Sequence, residues 1–159
     1  MALFNWKGGS TSVKEPETGS QQHKREFCEL LDSRGMYYDE RDGDPTTVIM
    51  RFGGGSFNFD HITVFIDFDP NSKATGDTVH LVALCLGKFE GGRLERGLEL
   101  CNDILRRKRW VRPYIDDDGD LDFDADMFIG GSTAASDTFE LVQAMVSIID
   151  DVYPDIQRA

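Results

Sequence analysis

Trp110-Val-Arg-Pro-Tyr-Ile-Asp-Asp-Asp-Gly-Asp-Leu-Asp-Phe-Asp-Ala-Asp-Met127 is the stretch whose reading decides the fold. Asp118-Gly119 stands between two strand-like runs, and an Asp-Gly pair at such a place signals a tight hairpin, because Gly takes a positive φ at little cost. Beyond it Leu121, Phe123, Ala125 and Met127 alternate with Asp120, Asp122, Asp124 and Asp126. A period of two sets the apolar side chains on one face of a strand and the carboxylates on the other.

So dense an Asp run invites comparison with a calcium loop, and the spacing argues against one. With Gly119 as the turn glycine at loop position six, positions one, three and five are Tyr114, Asp116 and Asp118, and position twelve is Ala125 rather than Glu. Starting at Asp116 instead puts Leu121 where the glycine belongs. The run is therefore expected to be a solvated acidic strand face, which also discourages edge-to-edge pairing.

Upstream, Arg93–Lys108 reads as a helix striped by Leu94, Leu98, Cys101 and Leu105 after the breaker Gly91-Gly92. Downstream, Thr138–Tyr153 reads as another, capped by Asp137 with Glu140 three residues on; Phe139, Val142, Met145, Val146, Ile149 and Val152 mark its apolar side, and Pro154 is expected to end it. Nearer the N-terminus, His23, Phe27, Leu30 and Leu31 recur at helical spacing before the stop Gly35. Four strands are then expected at Met36–Glu40, Thr47–Phe52, Phe59–Phe68 and Thr78–Leu86, with turns at Asp42–Pro45 and across Asp69–Gly76. Gly53-Gly54-Gly55 precedes neither a Lys-Ser/Thr pair nor a helix start, so it reads as a connection rather than a phosphate loop.

The resulting order is α-β-β-β-β-α-β-β-α. Strands joined by short turns make a mainly antiparallel sheet, and helices so spaced gather on one side, giving a two-layer α+β domain over residues 21–159. Residues 1–20 are poor in apolar surface and are expected to form a disordered tail, with Leu3, Phe4 and Trp6 as a candidate short docking motif.

Composition excludes whole classes of function. A formal charge of −12 over 159 residues repels nucleic acid and anionic membrane surfaces. No apolar run reaches the length of a membrane span, and no basic-then-apolar leader opens the chain, so a cytoplasmic protein is expected. Cys28, Cys85 and Cys101 are widely spaced and read as ordinary buried thiols rather than a disulfide framework or zinc ribbon. Nothing assembles nucleophile, base and electrophile at a recognisable spacing, so no catalytic, cofactor-binding or metal-ligating residue is assigned. The alternative is a metal-dependent or His/Asp-based enzyme using the Asp116–Asp126 cluster with His61 or His80, and a polar pocket joining them would favour it.

Two features point to protein binding. In strand three Ile62, Val64, Ile66 and Phe68 share one face while Phe59 and Phe65 lie on the other; in strand four Val79, Leu81, Ala83 and Cys85 oppose Val82, Leu84 and Leu86. Helices can cover one of these apolar faces, leaving the second for a partner, a second copy or the loop Gly53–Asn58. Separately, Trp110 sits within the basic cluster Arg106, Arg107, Lys108, Arg109 and Arg112, which suits either an acidic peptide or the macrodipole of a helix C-terminus. Phe59, Phe65, Val82, Leu84 and Trp110 are the candidate protein-binding residues.

From about Gln21 to Ile156 the chain resembles the YbjN-type bacterial sensory transduction regulators. The residues carrying the resemblance are Leu100-Cys-Asn-Asp103, Tyr114-Ile-Asp-Asp-Asp-Gly-Asp-Leu121, Ile129-Gly-Gly131 and Leu141-Val-Gln-Ala-Met-Val146, with Pro154 beyond. The resemblance implies a fold similar to the type III secretion chaperones. It also implies a non-enzymatic regulatory or chaperone-like protein that binds another protein and forms a homodimer.

Overall fold

The computed structural model of the chain describes residues 19–69 and 77–159. The expected tail, apart from Gly19 and Ser20, and the turn expected between residues 70 and 76 lie outside the described residues. The elements are α1 (Gly19–Ser33), β1 (Asp39–Glu40), β2 (Thr47–Gly53), β3 (His61–Asp69), β4 (Thr78–Lys88), α2 (Leu94–Arg107), β5 (Arg112–Ile115), β6 (Asp120–Phe128) and α3 (Ala134–Arg158). Type and order follow the sequence pattern. The six strands form one antiparallel sheet in the order β1-β2-β3-β4-β6-β5. Both of its edges are short: β1 has two residues, and β5 has four, one of them Pro113.

Strand alternation sorts the sheet into a covered and an open face. Ile62, Val64, Ile66 and Phe68 of β3, Val79, Leu81 and Ala83 of β4, and Leu121, Phe123 and Ala125 of β6 are buried. Phe27 and Leu31 of α1 and Val142, Met145, Ile149 and Val152 of α3 join them in one core. α2 packs along β5 through Gly97, where a Cβ would come within 2.5 Å of Ile115 Cδ1 and 2.6 Å of the Phe89 ring, so only glycine permits this approach. Among the described residues no helix is long and apolar enough to cross a membrane.

The hairpin forms as the Asp118-Gly119 pair predicts. Gly119 takes φ 83°, and Asp116 organises the turn by accepting hydrogen bonds at Oδ1 from the backbone N–H of Asp118 (2.9 Å) and of Asp120 (2.8 Å).

Four expectations are corrected. The first strand begins at Asp39 rather than Met36, because α1 closes on the αL residue Gly35 with Met36 N donating to Leu31 O and Gly35 N to Asp32 O, and the cap consumes Met36. α3 starts a turn before Asp137, through a 3₁₀ turn at Gly131–Thr133, so Asp137 sits in its first turn and not at its cap. Nor does α3 stop at Pro154; it runs on to Arg158. The carbonyl this proline leaves without a donor, that of Asp150, accepts from the Asn58 side-chain amide. Fourth, β4 carries a bulge between Ala83 and Gly87, with Cys85 at φ 59°. The bulge reverses the alternation, so Leu86 turns into the core and Cys85, expected to be buried, is exposed.

Candidate protein-binding surface

The open face is built from register. One row across the sheet runs Asp39, Ile49, Phe65, Val82, Asp124, Arg112, and the next runs Thr47, Asp67, His80, Asp126. Among the described residues no helix lies over these rows, because α1, α2 and α3 all pack on the other side. Ile49, Phe65 and Val82 are half-buried by their neighbours alone, and Leu84 is 44% exposed. With Arg41, Asp44, Thr47, Asp67 and His80 they line a shallow hollow of about 570 Å³.

Charged groups frame the apolar centre and pair with one another. On the β6–β5 side Arg112 grips Asp124 with two hydrogen bonds, Nε to Oδ1 at 2.8 Å and Nη2 to Oδ2 at 3.0 Å, and also donates to Asp126. His80 Nδ1 lies 2.7 Å from Asp126 Oδ1. Burial opposes ionisation of Asp126, yet the hydrogen bonds from His80 and Arg112 prevail and hold its carboxyl below the usual range. The same two carboxylates raise the Arg112 guanidinium further above its already high value. At the opposite corner Asp44 accepts from the backbone N–H groups of Thr46 (3.0 Å) and Thr47 (3.2 Å) and from the Thr47 hydroxyl (2.7 Å), which pushes its carboxyl down to about 2.

The five candidate residues separate. Phe65, Val82 and Leu84 come together at the centre of the open face. Trp110 stands at its margin, 77% exposed and held at φ 76°, over a hollow shared with Leu105, Lys108, Arg109, Arg112 and Asp126. Phe59 does not belong with them. It precedes β3, is 2% exposed, stacks on Phe57 and meets Tyr153 of α3 edge-on. The loop Gly53–Asn58 thus folds onto the helical side through Phe57 and Asn58 rather than over the open face. Sequence reasoning missed Ile49, masked within the apolar run Val48–Met50, and Phe128, 71% exposed, which shares the face of the four aspartates.

The basic cluster is mostly satisfied within the molecule. Arg107 pairs with Asp155 (2.8 Å), Lys108 with Asp151 (2.5 Å) and Arg106 with Asp103 (3.7 Å), while Arg112 holds Asp124.

The parts an enzyme would need are scattered. His61 lines a separate hollow of about 270 Å³ with Asp60, Thr63, Cys85 and Tyr153, whereas His80 belongs to the open face. Among the described residues one set of candidate metal ligands falls within 4.8 Å, namely His80, Asp124 and Asp126, and there the Arg112 guanidinium already serves both carboxylates. The thiols are held protonated: burial pushes Cys101 up to about 11 and raises Cys28, and Cys85 is raised by desolvation and then by Asp120, Asp122 and Asp116.

Residues 72–158 match the YbjN family, described as "Putative bacterial sensory transduction regulator". Among solved structures the chain is similar to the crystal structure of YbjN, "a putative transcription regulator from E. coli". The TM-score is 0.53 at 16% identity, over 80% of this chain and 89% of that one, a likeness of fold. No curated protein matches.

Proposed function

Because the chain belongs to the YbjN family, we propose that it is a non-enzymatic regulatory or chaperone-like module that works by binding another protein across the open face of its sheet. One observation carries the proposal: Ile49, Phe65, Val82 and Leu84 form an apolar centre that none of the three helices covers. On the β6–β5 side Arg112, Asp124, Asp126 and His80 already pair with one another, so a partner would gain mainly from apolar burial there, with the charged rim fixing its orientation. Trp110 extends this surface past the Arg112–Asp126 pair.

Self-association fits a second surface. Leu94, Leu98 and Leu105 of α2 are each more than two-fifths exposed at spacings that place them on one side of the helix. A homodimer formed through them leaves the open face free. The cytoplasm is the proposed compartment, since it keeps all three thiols reduced. Nucleic acid and anionic membranes are not proposed as partners, given the charge of −12.

The test is parallel affinity capture with the wild-type chain and with Phe65→Asp and Leu84→Asp. A protein held in stoichiometric amount by the wild type and lost by both variants supports the proposal. Capture that is indifferent to both substitutions refutes it.

A further inference from the structure

The helical side of the sheet carries a hollow that the open face does not use. It measures about 290 Å³ and lies between the end of α1, the Gly53–Asn58 loop and α3. Each wall has a cause in the sequence. Phe52 continues the covered row of β2 after Val48 and Met50, and the Gly35 cap holds Met36 beside α1, its N–H donating to Leu31 O. Phe57 N donates to Gly54 O at 3.1 Å across a turn that Gly54 permits at φ 108°, and the Phe57 ring stacks on Phe59. From α3 come Phe139 and Val146 and, at helical spacing along one side, Gln143, Ser147 and Asp150.

Small-molecule sites are built this way, with apolar and aromatic walls and a few polar groups to fix orientation, and this volume stands near the lower end of their range, about 300 Å³. Its polar groups are free to be used. The Gln143 and Ser147 side chains hydrogen-bond nothing among the described residues, and Asp150 commits Oδ1 to the Asn58 N–H, leaving Oδ2 for a ligand. Among the described residues Asp150 is also the one charged group in the lining. Arg34 lies over the Phe139 ring, 4.1 Å from its centre, but Phe139 and Asp150 are about 16 Å apart along α3, so that cation leaves the Asp150 end untouched. A chain charge of −12 draws cations in and keeps anions away.

We propose that this hollow binds a small organic cation, an apolar amine whose body lies against Phe57 and Val146 and whose ammonium pairs with Asp150, with Gln143 and Ser147 as further hydrogen-bonding groups. The ammonium supplies the donors that a carboxylate lacks, and an aryl or alkyl body supplies the apolar burial. Loop and helix already meet through Asn58 and Asp150, so the ligand enters a cleft formed before it arrives. The site lies across the sheet from the open face and stands independently of the protein-binding reading.

The experiment titrates the full chain with 2-phenylethylamine, taking 2-phenylethanol and 3-phenylpropionate as its neutral and anionic counterparts, and follows the Met and Val methyl groups by NMR at physiological salt. The amine should shift the methyls of Met36, Val142 and Val146 saturably, with a Kd on the order of a millimolar or tighter. That Kd should lie about three- to tenfold below the alcohol's, and the propionate should not bind. Asp150→Asn should bring the amine to the alcohol's affinity. Gln143→Trp, at an exposed position on the rim, should fill the hollow and abolish both; Ser147→Trp replaces it if native circular dichroism is lost. The comparison of the three probes on the wild-type chain stands whatever the variants do. Equal affinities for amine and alcohol, a preference that survives Asp150→Asn, or shifts confined to methyls outside the hollow would each overturn the proposal. So would an amine affinity that weakens as protein concentration rises, which gives the hollow to a second copy.

Discussion

The Asn58 side-chain amide donates to the backbone carbonyl of Asp150 at 2.9 Å, while the Asp150 carboxylate accepts from the Asn58 backbone N–H at 2.5 Å. The pair lets α3 carry a proline in its interior. Asn58→Ala is expected to destabilise the fold by about 0.5–1 kcal/mol, because the freed carbonyl is left to solvent. In a Pro154→Ala background residue 154 supplies its own N–H, so the same substitution should have a smaller effect. A double-mutant cycle by urea unfolding measures the coupling, and additivity would show that the two residues act independently.

Val64 and Phe65 are neighbours on β3 with opposite environments, Val64 fully buried and Phe65 half-exposed on the open face. Val64→Asp should destabilise by about 3–5 kcal/mol through an unpaired buried carboxylate, and Phe65→Asp by less than about 1 kcal/mol. Denaturant midpoints at neutral pH provide the comparison. Equal losses would mean that both faces are internal.

Asp44 gives the fold a dependence on acid. Its carboxyl titrates near 2 when folded, against an ordinary value of 3.8. A depressed folded value stabilises fully above the unfolded pKa and is lost as pH falls through the folded one, so the contribution should vanish between about pH 4 and pH 2. With part of the group open to solvent, the stabilisation is about 1–2 kcal/mol. Asp44→Ala should be less stable than wild type by that amount at pH 6, and the two curves should converge near pH 2. Parallel curves down to pH 2 would assign the loss to something other than this titration.

Asp122 works in the opposite sense. It is 4% exposed, and burial raises its carboxyl, only partly offset by the hydrogen bond from the Cys85 backbone N–H at 2.8 Å. A carboxyl raised by folding opposes stability when ionised and ceases to do so as pH falls through its folded value. Asp122→Asn keeps the acceptor and removes the charge. It should be neutral to stabilising at pH 7, with the advantage shrinking below the folded value; thermal melts across pH check it. A clear loss at pH 7 would assign the carboxylate a stabilising role.

Cys85 holds the neighbouring bulge at φ 59°, a conformation that glycine adopts more readily. Cys85→Gly should raise stability by about 0.5–1 kcal/mol, the relieved strain exceeding the entropy added to the unfolded chain. A loss in the same melt would show that the side chain contributes packing of its own.

Several local rules made the sequence legible, though not in α2, where of the expected stripe only Cys101 is buried, beside Leu100 and Ile104, and Leu94, Leu98 and Leu105 stay exposed. Asp118-Gly119 made its hairpin, the Leu121–Met127 alternation buried its apolar half, and the spacing of Val142, Met145, Ile149 and Val152 located the buried side of α3. Three of the misses share a cause, a distant residue deciding a local outcome. Pro154 is a helix breaker until Asn58, far away in sequence, takes over its orphaned carbonyl. Cys85 and Leu86 follow strand alternation until the bulge opposite Leu121–Phe123 shifts them by one. Phe59 looks like part of β3 until Tyr153 draws it beneath the helix. Of the open face, Phe65 and Val82 were readable from alternation, but the Arg112–Asp124–Asp126–His80 network depends on β4 and β5 flanking β6, which no local pattern states.

The two edges of the sheet also bear on how this protein can be misused. One edge ends in a two-residue strand tied by Arg51 to Asp39, and the other carries Pro113, which has no N–H to offer. Neither of these edge strands offers an incoming strand more than a few free backbone groups with which to extend the ladder. Runaway stacking into fibrils is thereby discouraged, because a peptide backbone, which every protein possesses, is not enough to prolong the sheet past these two strands.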